Sequence, residues 1–303
     1  MATYQRLKII INPAAGKSEP VLSILNDVFR PAGIVWEVAL TQEPGDGVTA
    51  AREAAGQGYD LVGVYGGDGT VAEVVSGLAD GGPPLLLLPG GTGNALADDL
   101  GIPTTLAEAA ALAVGDAADV KSIDLGRSGE RFFALRMTMG IETALVGATT
   151  REMKDRFGWL AYVMAGLQAL SDPQTAKYKI TVDGVTHEVE GVAAMVANSV
   201  SVGHEVGVKI AQNVSVSDGL LDVVVVESAA LSSLLGTAAA AAQGQEPDTM
   251  NRWSGKHIHV EATPRQAVLA DGEEAGFTPV DVTVLQRAVQ VLVPKDVSPR
   301  EAE

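Results

Sequence analysis

Residues 64–75 read VYGGDGTVAEVV, a short apolar run that breaks into three glycines around an aspartate and then resumes with helical spacing. The strand is expected to end at Tyr65. Val71, Val74, Val75 and Leu78 then form an i, i+3, i+4, i+7 stripe, and Thr70 and Glu73 have the spacing of a T-x-x-E capping box. The stretch is a strand, a glycine turn and a helix start. Gly66, Gly67 and Gly69 permit positive φ and close approach of a ligand to the backbone. Amides at a helix start, with the positive end of the macrodipole, suit a phosphate. An acid in that turn is unexpected, because Asp68 repels an anion unless a cation or a bridging water lies between them.

Outward from this stretch, residues 1–115 alternate between strand and helix signals. "LKIII", "IVWEVAL", "DLVGVY" and "PLLLL" read as strands. Between and after them lie helical patterns at Pro20 to Arg30, with Ser18 as a cap, from Asp46 to about Gly58, and from Thr105 to Val114, with Thr105 and Glu108 as a capping box. Apolar strands separated by such helices predict a parallel sheet covered on both faces. Beyond Asp124 the pattern becomes β-rich: "FFALRM", "KYKITV", "VTHEVE", "VAAMVAN", "LLDVVVV", "HIHVEA", "VDVTVL" and "VQVLVP". Asp183-Gly184 is a two-residue hairpin signal. Further helices are expected at 158–170 and 231–242. The expected fold is therefore an α/β domain with a parallel sheet (residues 1–128) followed by a mainly antiparallel β-sandwich domain (129–293). The boundary is expected near 126–131, and the tail 294–303 is free to fold back on the first domain.

Composition narrows the classes of function. The chain has 303 residues, 47% hydrophobic and 4% aromatic, enough for one large domain or two moderate ones with cores filled by small aliphatic side chains. With no cysteine, disulfide scaffolds, thiolate metal sites and Cys nucleophiles are excluded, and a reducing, cytoplasmic setting fits. No signal peptide or spanning stretch is evident. A net charge of −17 argues against nucleic-acid partners, and requires any membrane contact to be local and apolar.

Two familiar phosphate motifs fail. "INPAAGKS" ends as a P-loop does but has Ile11 where the first glycine belongs. Gly67, Gly69 and Ala72 satisfy G-x-G-x-x-A, yet the acid expected about 20 residues later is missing. Three glycine-rich or small-residue βα turns remain: "NPAAGKS", "GGDGT" and "PGGTGN". All three would lie at the carboxyl edge of one sheet, where open α/β sheets bind ligands. Their amides, the Thr92 hydroxyl, the Asn12 and Asn94 amides and the Lys17 ammonium would make a nucleotide cradle, in which Asp68 fits if a Mg²⁺ or a water–metal network lies between it and the phosphates.

"NPAAGK", "GGDGT" with "VAEVVSGL", "PGGTGNALA", "SVSDGLLDVVVV" and "VLADGEEAGFTPVDVTVL", in this order over nearly the whole chain, resemble the diacylglycerol kinase catalytic domain family. That family includes bacterial lipid kinases and sphingosine and ceramide kinases. The resemblance implies two domains with ATP in the cleft and transfer of its γ-phosphate to a lipid hydroxyl. By position it implies a nucleotide site of Asn12, Pro13, Ala14, Ala15, Gly16, Lys17, Thr41, Gly66, Gly67, Asp68, Gly69, Thr70, Val71, Ala72, Thr92, Gly93 and Asn94. Asp68 would organise catalytic Mg²⁺. Ser215, Asp218 and Leu220 match a structural Mg²⁺ site, and Asp271 and Glu273 the acids that deprotonate the acceptor.

Ala95 stands where many diacylglycerol kinases have Asp, and Gln212 where proline is common, so the acceptor and the metal assignment stay open. Asp271-Gly272 also repeats the Asp183-Gly184 dipeptide, which reads as a plain turn. The expected partners are ATP and a lipid alcohol, with transient peripheral membrane contact and a homodimer left open. The alternatives are a kinase for NAD or another small molecule, and a nucleotide-binding sensor without turnover.

Overall fold

The computed structural model describes residues 4–16, 18–79, 81–140, 175–199, 215–227 and 250–295. Lys17, Gln212, the helices expected at 158–170 and 231–242, and the tail beyond Lys295 lie outside these residues. The chain divides into two compact units, Met1–Ile123 with Arg287–Glu303, and Asp124–Gln286.

The first unit alternates from β1 to α4 and then adds a further helix: β1 (Arg6–Ile11), α1 (Val21–Phe29), β2 (Val35–Leu40), α2 (Asp46–Gly56), β3 (Leu61–Gly66), α3 (Asp68–Leu78), β4 (Leu85–Pro89), α4 (Ala95–Asp99) and α5 (Leu106–Ala111). The four strands lie in the order β2-β1-β3-β4 and pair in parallel, and Val291 near the chain's end pairs in parallel with Leu85. Every residue of β3 and β4 is buried, as continuous apolar runs require when helices cover both faces. The edge strand β2 departs from that pattern, with Val35 at 64% and Leu40 at 57% exposure.

Helix α3 buries the expected Val71, Val74, Val75 and Leu78. Its start, however, is not the Thr70–Glu73 box. The helix begins at Asp68 after Gly67, which has no side chain to cap it. Thr70 instead accepts from the Asn12 side chain, and Glu73 accepts from the amides of Gly45 and Gly47 at the start of α2 (2.9 and 2.8 Å). The carboxylate thus caps a neighbouring helix, a long-range use that local spacing does not reveal. Gly77 lets the two helices approach, since a Cβ there would lie 2.6 Å from the Val48 carbonyl oxygen. Ser18 does not cap α1 either, because the preceding position is Pro20. Thr105 does cap α5, accepting from the Glu108 amide.

The second unit is built from strands. β5 (Ala118–Ser128) enters it from the first unit, followed by β6 (Arg131–Phe133), β7 (Arg136–Met139), β8 (Ala176–Val182), β9 (Val185–Gly191), β10 (Ala193–Ala197), β11 (Leu221–Val226), β12 (Met250–Gly255), β13 (His257–Thr263), β14 (Ala267–Ala270), β15 (Glu273–Phe277) and β16 (Val280–Pro294). One antiparallel set runs β9-β8-β13 to residues 280–283 of β16, and a second runs β12-β11-β10-β7-β14-β15. Their inner faces share one core that includes Phe133, Met137, Tyr178, Ile180, Val196, Val223, Ile258 and Val282. Stacked rings of His187 and Trp253, 4.7 Å apart, join β9 to β12. This is the expected antiparallel sandwich.

Two strand-like runs near the C-terminus are one strand, β16. Its buried positions are Val280 and Val282 before Arg287 and Val289, Val291, Leu292 and Val293 after it, so the buried valines shift from even to odd positions across a residue with φ of 53°. That phase change made one strand look like two.

The capping role of Glu73 predicts that Glu73→Ala lowers stability by about 1–2 kcal/mol, with Glu73→Gln between the two. Urea unfolding followed by far-UV circular dichroism measures it.

Candidate functional site

In the first unit the strand order reverses between β1 and β3, and ligands of open α/β sheets bind outside the carboxyl ends of the strands at such a point. The turns that follow β1, β3 and β4 are tied together there. The Asn12 amide donates to the Tyr65 carbonyl (2.9 Å), its Nδ2 donates to Thr70 Oγ1 (2.9 Å), and its Oδ1 accepts from the Ala14 amide. Asn12 therefore shapes the loop of Pro13, Ala14, Ala15 and Gly16 and anchors it to α3. The Gly90 amide donates to the Gly66 carbonyl, and a Cβ on Gly91 would lie 2.5 Å from the Gly67 Cα, so only glycine fits. Asn94, with φ of 52°, exchanges two side-chain hydrogen bonds with the Gly91 backbone and closes its own turn. The asparagine amides expected to face a nucleotide are thus engaged in building the turns.

Asp68 reaches from the second of these turns to the third. Its Oδ1 accepts from the Ala95 amide at the start of α4 (2.7 Å), and its Oδ2 occupies the space a Cβ on Gly93 would need. Around it, Gly69 and Thr92 are exposed, Gly67, Ala72 and Gly93 half-buried, and Gly66, Val71 and Thr70 buried. Thr41 is buried after β2, its amide on the Ile11 carbonyl. The amides of the first turn of α3 open on this edge with no side-chain cap. The sequence reading missed one support: the Tyr65 hydroxyl donates to Glu19 Oε1 (2.8 Å) while its ring packs against Gly90. Burial and the Glu19 carboxylate push that phenol well above its usual range. A tyrosine at a strand end gave no sequence signal for it.

In the second unit, Asp218 Oδ1 accepts from the Leu220 amide (3.0 Å), and Ser215 Oγ lies 3.2 Å from Ser217 Oγ. Between Asp218 and Leu220, Gly219 has φ of 78°, donates to the buried Asp124 carboxylate (2.7 Å) and accepts from Gln286 Nε2 (3.1 Å). Burial, together with the charges of Asp222 and Asp124, raises the Asp218 carboxyl above its ordinary pKa. Asp222 is paired with Arg252 and Ser254. Among the described residues no group of three or more His, Asp or Glu side chains is placed to hold a metal ion.

Asp271 and Gly272 form a two-residue turn with φ of 47° and 89°, matching Asp183 and Gly184 at 47° and 88°. The chemistry of the two turns matches as well. Asp183 accepts from the amides of Lys256 and His257, which holds its carboxyl below the ordinary value. Asp271 accepts from three amides, Ala134 (2.7 Å), Leu135 (3.0 Å) and Arg136 (2.9 Å). Burial nevertheless raises the Asp271 carboxyl above the usual carboxylate range, against those amides and the Arg136 charge. Glu273, two residues on, is 56% exposed and lies 3.6 Å from Arg131.

Comparison with known proteins agrees with this architecture. Residues 6–128 match the diacylglycerol kinase catalytic domain, and residues 136–293 match the YegS C-terminal NAD kinase beta sandwich-like domain. A diacylglycerol kinase of Bacillus subtilis is 30% identical over 299 residues, covering 96% of this chain and 97% of that one. A diacylglycerol kinase of Mycobacterium tuberculosis is 34% identical over 250 residues, 80% of this chain and 79% of that one. A solved diacylglycerol kinase structure from Bacillus anthracis superposes with a TM-score of 0.83 at 28% identity, covering 97% of this chain and 99% of that chain. The chain belongs to the diacylglycerol kinase catalytic domain family of lipid kinases.

Proposed function

We propose that the protein transfers the γ-phosphate of ATP to the hydroxyl of a membrane lipid, with diacylglycerol as the first acceptor to test. The observation that carries this reading is the convergence of three small-residue turns on the uncapped start of α3, with one carboxylate, Asp68, among them. Backbone amides at a helix start hold phosphate oxygens without repulsion. The relatives' names support the lipid acceptor.

In this reading the loop 12–16, Gly66 to Ala72 and the turn 92–94 line the triphosphate. Asp68, already fixed by the Ala95 amide, would be the ligand of a phosphate-bound Mg²⁺, and that cation would neutralise charge developing on the transferred group. In the second unit Ser215, Asp218 and Leu220 would offer oxygen donors, a hard set that suits Mg²⁺.

Of the two acids in the hairpin, we assign the base to Glu273. Asp271 receives three amide donors and resembles the structural Asp183, whereas Glu273 is open to a substrate. Glu273 would take the acceptor hydroxyl's proton as that oxygen attacks the γ-phosphorus and the bond to the ADP oxygen breaks. No helix among the described residues is long and apolar enough to cross a membrane.

An acceptor screen with labelled ATP, covering diacylglycerol, monoacylglycerol, sphingosine, ceramide, phosphatidylglycerol and NAD, tests the proposal. Label in no lipid would sink it, and label only in NAD would move the protein to the small-molecule alternative. Asp68→Asn should keep the acceptor for Ala95 and hence the melting temperature, yet lose at least two orders of magnitude in kcat. Glu273→Gln should stay folded and lose about 10²–10⁴-fold in kcat. Asp271→Ala should instead destabilise by about 2–4 kcal/mol through its orphaned amides. A third contrast is steric. A Cβ at Gly69 meets nothing in the protein, so Gly69→Ala should leave stability equal or higher while raising KM for ATP. An unchanged KM would show that no phosphate approaches that amide.

A further inference from the structure

Asn198, which follows β10, is completely buried, and no motif singles it out. Its Nδ2 donates twice, to the Asp124 carbonyl (2.8 Å) and the Ala134 carbonyl (2.9 Å). Its backbone amide and that of Ser199 both donate to the Leu135 carbonyl (2.8 and 3.0 Å). Asp271 accepts from the amides of Ala134, Leu135 and Arg136. The short link between β6 and β7 is therefore held through its carbonyls by residues 198–199 and through its amides by Asp271. Three residues before Ala134, Arg131 pairs with Glu273. One backbone segment thus carries the two side-chain fastenings of the acidic hairpin, whose first strand β14 is also paired with β7 and whose Asp271 amide donates to the Arg136 carbonyl.

The choice of asparagine has a chemical reason. A neutral side chain of this size that donates two hydrogen bonds from a single atom is an amide. The arrangement leaves Asn198 Oδ1 buried with no partner among the described residues, which is an unfavourable feature. An apolar side chain would avoid that penalty but would release both carbonyls. Such an exception in a core asks for an explanation, and here it is the grip on two carbonyls.

We infer that Asn198 is a positioning residue for phosphoryl transfer, fixing the 134–136 segment so that the hairpin presents Glu273 in one place. The inference rests on the reading of Glu273 as the base. It assigns no ligand contact to Asn198, which acts through the backbone and Asp271.

The test compares Asn198→Leu, which removes both donors at similar volume, and Asn198→Ser, which keeps one, with Ile180→Ala in the same core. Steady-state kinetics with diacylglycerol in mixed micelles gives kcat and KM, and thermal melting gives stability. Misplacement of a reacting group by about 1 Å costs on the order of 10²-fold in rate. A loss of that size in kcat is expected for Asn198→Leu and a smaller one for Asn198→Ser, with KM for ATP within about twofold of wild type because the glycine turns are untouched. Should Asn198→Leu fail to fold, Asn198→Ser carries the comparison. Wild-type kcat in the folded Asn198 variants overturns the inference, as does an equal loss in Ile180→Ala at a matched melting temperature. Glu273→Gln, assayed alongside, separates the two ideas. If it retains turnover, the base assignment falls, and this inference with it. If it is inactive while Asn198 variants are normal, only the positioning role falls.

Discussion

The first unit depends on how closely two backbones approach each other. Gly67 and Gly91 face each other where a single added carbon would clash with a main-chain atom, and that contact sets the spacing of the turns after β3 and β4. A flexible neighbour could give way, but a backbone cannot. With the turns this close, a carboxylate on the first can reach an amide at the start of the helix after the second, as Asp68 does to Ala95. Asn12 completes the set by tying the β1 loop to Thr70. The small residues here serve the protein's own packing as much as any ligand's approach. That double use explains why so few of the site's polar side chains project away from the backbone.

The two Asp-Gly turns of the sandwich lead to a related point about acids. A carboxylate in such a turn sits where the backbone turns back on itself, and in both cases it takes up amides from a strand start beside it. Amide donors stabilise the charged form and burial opposes it, and the balance differs between them: Asp183 is lowered and Asp271 raised. The same dipeptide thus has one mechanical role in two electrostatic settings. The acid two residues downstream, Glu273, is exposed and pairs with Arg131 instead of gathering backbone amides.

Much of this was legible in the sequence, for physical reasons. Continuous apolar runs marked β3 and β4, and the stripe from Val71 to Leu78 marked α3, because burial on both faces or on one stripe leaves a periodic trace. The order of the glycine turns, together with the downstream SVSDGLLDVVVV and VLADGEEAGFTPVDVTVL segments, carried the family. What stayed hidden was long-range or aperiodic. Glu73 has the spacing of a local cap, but its partners are 26 and 28 residues away at the start of α2. β12, reading MNRWSG, and the short β14 and β15 were not read as strands because their alternation is weak or brief. β16 looked like two strands because Arg287 reverses the phase of its side chains. Asn198 left no trace, since a lone asparagine after a strand has no pattern to read.

Strand β2 bears on the behaviour of the protein in solution. It ends its sheet among the described residues, and its apolar side chains, Val35 and Leu40 above all, face outward along a row of backbone groups open to pairing. Few basic side chains guard it. The charge of −17 opposes the approach of another edge to this one, a colloidal repulsion that acts before edges can meet. That protection depends on the solvent: its reach shrinks from about 8 Å at physiological ionic strength to about 3 Å at 1 M salt. Concentrated salt, often added to steady a protein in storage, therefore withdraws the safeguard of this edge.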